Sequence, residues 1–315
     1  MKNNIYCQAL ISILLMLFGC TCASGQTGDN TRLLEFQNAP FPYKGKVADQ
    51  DVPFFDVIDG ERRGHTSARG GLYWEDTTYS DNRVLVSLAP QFNIAKPALI
   101  LIYFHGNQSQ LQRDLVERQQ LPAQLAQSGL NAILVAPQFA VDALDSSAGH
   151  FADAGFFARF LDETAVQLAA WKKDKRYSSR LKNVPVVVIA YSGGYNAAAY
   201  ALDRGGVSKR VRGLVLLDAL YGQEKKFSGW IHAQRKQSFF FSAYTASARA
   251  GNETLQGILA LENIPFKSGI PSHFAKNQVY FLSLDEEVTH QDLLSRAWAD
   301  QPLADLLRRI TVAAK

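Results

Sequence analysis

The chain has 315 residues, with 33 Lys and Arg against 29 Asp and Glu and a formal net charge of +4. Of these residues 47% are hydrophobic and 20% charged, a balance that supports a packed core and argues against disorder. The charge is mild and no basic cluster interleaves with aromatics, which argues against a nucleic-acid partner.

The first residues read "MKNNIYCQALISILLMLFGCTCASGQ". Lys2 supplies a positive start, and Ala9 to Phe18 form an apolar run shorter than the roughly 20 residues of a membrane span. Residues 1–26 therefore read as a secretory signal. Leu17-Phe18-Gly19-Cys20 resembles a bacterial lipobox, in which the cysteine is lipidated and becomes the new N-terminus. Ordinary cleavage near Ala23 is the competing reading. The expected location is the periplasm or the outer membrane as a lipoprotein, with the lipid anchor as the membrane contact. All three cysteines, Cys7, Cys20 and Cys22, fall in this leader. The remainder thus has no disulfide, no cysteine nucleophile and no thiolate metal site.

Residues 27–50 are polar and carry Pro40 and Pro42, which predicts a tether. Residues 51–315 are expected to form one α/β domain. Within it, "FFDVIDG", "GLYWEDTTYS" and "RVLVSLAP" alternate in the manner of antiparallel strands. From Ala98 the pattern changes to buried strands alternating with helices. "ALILIYFHG", "NAILVAPQ", "PVVVIAYSGG", "RVRGLVLLDAL", "QSFFFSAY" and "NQVYFLSL" are the strands. "LVERQQLPAQLAQSG" is helical but interrupted at Pro122, and "GFFARFLDETAVQLAAWKK" and "YNAAAYALDRGG" are helical. "HQDLLSRAWADQPLADLLRRI" closes the chain as an amphipathic helix. "WKKDKRYSSRLK" reads as a solvated helix end and loop. Such alternation predicts a mostly parallel sheet covered on both faces, with chemistry at the C-terminal strand ends.

Four strand ends carry the polar residues that matter. They are His105, Gly106 and Asn107 after "LIYF"; Ser192 and Gly193 after "VIAY"; Asp218 after "LVLL"; and His290 past the last strand. Ser192 lies between Ala190 and Gly194, in the pattern A-Y-S-G-G. Small neighbours at these positions suit a strained strand-to-helix turn that lifts a serine Oγ over the sheet edge. A turn that only packs, or that cradles a phosphate at the helix N-terminus, is the alternative.

With serine, acid and histidine in this order, the chain from Phe54 onward resembles the α/β-hydrolase superfamily. The G-x-S-x-G pattern is departed from at its first position, where alanine adds one methyl. The resemblance implies Ser192 as nucleophile, His290 as base, and backbone N–H groups of Gly193 and the Gly106-Asn107 turn as an oxyanion hole. His105 is expected to shape that turn. Asp218 is the expected acid, although most of the superfamily places it one strand later, where the nearest carboxylate is Glu253; Asp285 is the third candidate. Tyr191, Tyr221 and Tyr244 are expected at the rim, and "DALDSSAGHFADAGFF" (142–157) either overhangs the site or simply connects. His65, His150, His232 and His273 show no metal-ligand spacing, and no nucleotide-binding glycine motif follows a strand, so no cofactor is expected.

The expected activity is cleavage of an ester, or of an amide, in a small molecule or envelope polymer. The alternatives are a serine peptidase or acyltransferase on the same triad, or a binding protein on the same fold. Oligomeric state leaves no mark in the sequence.

Overall fold

Five apolar runs make the centre of the molecule. β6 (Leu99–Phe104), β7 (Ala132–Pro137), β8 (Val186–Tyr191), β9 (Val211–Leu217) and β10 (Phe239–Tyr244) are buried along nearly their whole length. Neither face could meet water, which is why these runs do not alternate. The computed structural model describes residues 30–311. Cys20 and the rest of the expected leader lie outside them. Among the described residues no helix is long and apolar enough to cross a membrane.

The main sheet has nine strands. From one edge they are β1 (Thr31–Glu35), β5 (Arg83–Leu88), β7, β6, β8, β9, β10, β12 (Gln278–Ser283) and β11 (Lys267–Ser268). From β7 to β11 every pairing is parallel, while β5 runs antiparallel to both its neighbours. Order and direction together give the α/β-hydrolase fold. A second, three-stranded antiparallel sheet of β2 (Val57–Asp59), β3 (Arg62–Thr66) and β4 (Leu72–Trp74) stands apart. Short α1 (Glu75–Thr78) leads from it back to β5.

Successive residues of each strand feed opposite cores. Ile100, Ile102 and Phe104 join one cluster with α3 (Phe156–Lys172), α5 (Tyr195–Arg204), α6 (Glu224–Gln234) and α7 (Arg249–Leu261). Leu99, Leu101 and Tyr103 join the other with α2 (Leu121–Ser128) and α8 (Pro302–Arg308). Short α4 (Arg176–Leu181) packs beside α3 through buried Tyr177 and Leu181, so the basic stretch 171–182 is only partly solvated.

Three expectations are corrected. Residues 31–50 are no tether: β1 is an edge strand of the main sheet, and Phe36, Phe41 and Tyr43 are buried in the core beyond it. Proline and polar composition hid aromatics that have a core to enter. Pro122 does not interrupt a helix but starts one, in the first turn of α2, where its missing N–H costs nothing. A π-helical segment, Leu111–Arg118, precedes it. The terminal segment is likewise two pieces, a 3-10 turn His290–Leu294 and α8, with Pro302 again in a first turn.

Candidate active site

The turn after β8 is tight because the helix behind it must pass close to β6. A Cβ placed on Gly194 would lie 2.3 Å from the Phe104 carbonyl oxygen. Ser192 meets the same demand with its backbone: its φ is +53°, a left-handed value that costs a non-glycine residue about 1–3 kcal/mol. Gly106 sits directly against it, since a Cβ there would come 2.7 Å from Ser192 Cβ and 3.2 Å from its Oγ. The end of β6 and the end of β8 thus meet at the serine.

Asp218, one residue past β9, also has a left-handed φ, +45°, and its side chain is wholly buried. It is not short of partners. Oδ1 accepts the Thr245 amide at 2.8 Å. Oδ2 accepts the hydroxyls of Thr245 at 2.8 Å and Ser247 at 2.6 Å, and lies 2.6 Å from His290 Nδ1. Burial pushes this carboxyl up, but the donors from His290, Ser247 and Thr245 outweigh it and hold the group below its usual range. Glu253, on α7, and Asp285, past β12, are exposed, and it is Asp218 that meets the imidazole.

His290 opens the 3-10 turn after β12. A capping box fixes the start of that turn: Thr289 and Asp292 bond each other's side chain and backbone. Tyr191 fixes the ring from below, stacked on it at 4.8 Å and 21°, with its hydroxyl donating to the His290 carbonyl at 3.3 Å. The imidazole is one-third exposed. Ser192 Oγ itself is not hydrogen-bonded to His290; unliganded sites often leave this contact to tighten with substrate.

His105 is buried and carries a different duty. Its Nε2 accepts the Phe139 amide at 2.8 Å, so the proton of the neutral ring is on Nδ1, which donates to the Gly106 carbonyl at 2.7 Å. Burial pulls its pKa down to about 4. Because C=O and N–H point opposite ways across a trans peptide, this tie aims the Asn107 N–H away from His105. Neither that N–H nor the one on Gly193 donates to a backbone acceptor among the described residues.

The Asn107 side chain touches the adjoining loop. With its amide oriented to satisfy both ends, the nitrogen donates to the Asp145 carbonyl at 2.8 Å and the oxygen accepts from Arg69 Nη1 at 3.3 Å. Residues 142–157 divide their work. Asp145, Ser146 and Ser147 line a cavity of about 480 Å³, whereas Phe151, Phe156 and Phe157 are core.

Of the three tyrosines, Tyr191 lies under the histidine and Tyr221 stands at the rim, its ring 6.5 Å from His290 and its hydroxyl 2.8 Å from Ser247 Oγ. Tyr244 is not at the rim: it is buried in the core, with its hydroxyl accepting from Gln256. It is the last residue of β10 and alternation turns it inward. Two of the other histidines, His65 and His150, brace the frame, while His232 and His273 are exposed. His65 bonds the Phe54 carbonyl at 2.6 Å, and His150 stacks on Phe156. Sequence reasoning missed Thr245, Ser247 and Arg69, which carry no motif and join the site only through loop placement.

No family model matches the chain, and no curated protein does. Solved structures do resemble it. The S954A mutant of the feruloyl esterase module from Clostridium thermocellum shares 12% identity, with 85% of this chain and 97% of that one covered and a TM-score of 0.45. The S-formylglutathione hydrolase from Agrobacterium tumefaciens shares 13%, over 76% and 92%, at 0.41. The IroE-like serine hydrolase from Shewanella oneidensis shares 12%, over 72% and 74%, at 0.43.

Proposed function

We propose that this protein is a serine hydrolase that cleaves an ester through an acyl-enzyme on Ser192. The observation that carries the reading is the 2.6 Å contact between buried Asp218 and His290 Nδ1, beside a serine in a strained turn. Serine alone is a poor nucleophile at neutral pH and needs such a base. With Nδ1 engaged by Asp218, His290 offers Nε2.

The reaction then follows. Ser192 Oγ attacks the ester carbonyl carbon as its proton passes to His290 Nε2. Asp218 keeps the imidazole in the required tautomer and stabilises the cation. The Gly193 and Asn107 N–H groups receive the oxyanion, each contributing about 3 kcal/mol. Collapse breaks the bond to the alcohol, which leaves with the proton from His290. Water, deprotonated by the same histidine, attacks the acyl-enzyme and restores Ser192. An amide would follow the same path with a poorer leaving group.

The leader supports a cell-envelope role, anchored through lipid on Cys20. Cys20→Ser should release the protein from the membrane fraction or leave an uncleaved precursor. Wild-type protein found wholly in the periplasm, with an N-terminus downstream of Cys20, would refute the anchor.

A fluorophosphonate probe tests the central claim. Wild type should be labelled at Ser192 and cleave short 4-nitrophenyl esters, while Ser192→Ala should do neither and still melt normally. Undiminished turnover by purified Ser192→Ala would refute the mechanism. An unlabelled, inactive wild type would favour a binding protein on the same fold.

A further inference from the structure

The cavity of about 480 Å³ has a chemical character that ester cleavage alone does not require. It lies between the small sheet, the 145–149 loop and the start of α5. Its size suits a small organic group. Its charged walls other than Arg69 already have polar partners. Lys46 pairs with Asp51. Asp145 accepts the Tyr79 hydroxyl at 2.9 Å and the Ser147 hydroxyl at 2.8 Å. Asp56 accepts the Thr66 amide at 2.8 Å.

Arg69 is the exception. Among the described residues it forms no ion pair, and its guanidinium meets only the Asn107 amide oxygen, at 3.3 Å. It stands at the tip of the β3–β4 hairpin, and that tip is held in place. Gly70 and Gly71 take φ of +89° and +94°, which lets the turn close. Ser67 Oγ donates to the Leu144 carbonyl at 2.7 Å and accepts the Arg69 amide at 3.2 Å. Tyr73 OH accepts the Leu144 amide at 3.1 Å. An exposed cation on a held backbone thus lines the cavity, one residue's reach from the Gly193 turn, with most of its five donors unused among the described residues.

The cavity also lies on one side of the reacting centre. Its walls include none of Ser192, His290 and Tyr221, and it adjoins the Gly193 turn through Ser146, which a Cβ on Gly193 would meet at 2.8 Å. The leaving alcohol must lie by His290 to take its proton. The group that enters the cavity is therefore the acyl part. Guanidinium presents paired donors that match a carboxylate.

Resting on the serine-hydrolase reading above, we propose that the substrate is an ester whose acyl chain ends in a carboxylate, a half-ester of a dicarboxylic acid, held by Arg69. The test compares 4-nitrophenyl hydrogen adipate with 4-nitrophenyl hexanoate, equal in chain length and different in terminal charge. Wild type should favour the charged ester in kcat/KM by about tenfold or more, mainly through KM, and salt should erode that preference. Arg69→Gln should lower kcat/KM for the charged ester about tenfold more than for the neutral one. Arg69→Lys should recover part of the difference. No charge preference in wild type, or an equal loss on both esters in Arg69→Gln, would overturn the proposal; equal loss would make Arg69 a support of the Asn107 turn. If neither ester is cleaved and the fluorophosphonate leaves Ser192 unlabelled, the hydrolase reading fails instead.

Discussion

Ser247 Oγ donates to Asp218 Oδ2 at 2.6 Å, the same oxygen that holds His290 Nδ1. Asp218 is kept ionised in a buried place partly by this hydroxyl. Ser247→Ala removes a donor to a buried carboxylate, a loss of about 1–3 kcal/mol. Since folding lowers the Asp218 pKa below 3.8, its donors stabilise the fold above that value and less as pH falls through the folded value. The stability gap between wild type and Ser247→Ala should therefore be wide at neutral pH and narrow in acid. Activity should fall about tenfold, with the acid limb of the pH–rate profile moved upward. Chemical denaturation at both pH values, with kcat/KM across pH, checks this; an unmoved limb would leave Ser247 a purely structural bond.

Asp218→Asn keeps the shape but offers an amide where a carboxylate oriented the imidazole. A drop on the order of 10⁴ in kcat follows the analogous change in a serine protease, and a loss of that order is expected here. Glu253→Gln should change little, because Glu253 is exposed on α7. Near-normal turnover by Asp218→Asn, with melting unchanged, would show that the buried pair does not serve the reaction.

The parallel core and the strand-end residues were legible because both follow from local signals. Unbroken apolar runs mark strands buried on two faces, and Ser192, Asp218 and His290 each terminate one or follow the last. Residues 31–50 were not legible: Phe36, Phe41 and Tyr43 show no period, and only the sheet edge and core explain their burial. Tyr244 was misread because its strand end resembles that of Asp218, yet it is the last strand residue and faces inward, whereas Asp218 lies past the strand with a left-handed φ. Thr245, Ser247 and Arg69 gain their meaning from partners far off in the chain, which no spacing rule encodes.

Gly106→Ala tests the closeness of the two strand ends. The new methyl would fall 2.7 Å from Ser192 Cβ, nearer than carbon atoms approach, so the serine or the Gly106 turn must shift. A displacement near 1 Å can cost about 10²-fold in rate. Ester cleavage should fall by at least that factor while the melting temperature drops only a few degrees. Fluorophosphonate labelling should slow in parallel. Full activity in Gly106→Ala would mean that the turn has room the packing does not show.

His105 offers the pH test of the oxyanion turn. In the fold its pKa is about 4, against 6.5 for the free side chain, because burial disfavours the cation. A histidine depressed in this way binds fewer protons folded than unfolded. Its contribution is present above pH 6.5 and is lost as pH falls from there through about 4, a change on the order of 3 kcal/mol in unfolding free energy. Protonation would also remove the Nε2 lone pair that accepts the Phe139 amide. His105→Gln cannot titrate, so its stability should depend less on pH than that of wild type between pH 7 and 4.5. Its activity should fall as well, because the Gly106 carbonyl is no longer held from the same atom and the Asn107 N–H loses its aim. Denaturant unfolding of both proteins at several pH values measures the difference in slope. Identical slopes would show that His105 stays uncharged in the unfolded chain too or is already charged in the fold, and would detach it from the turn.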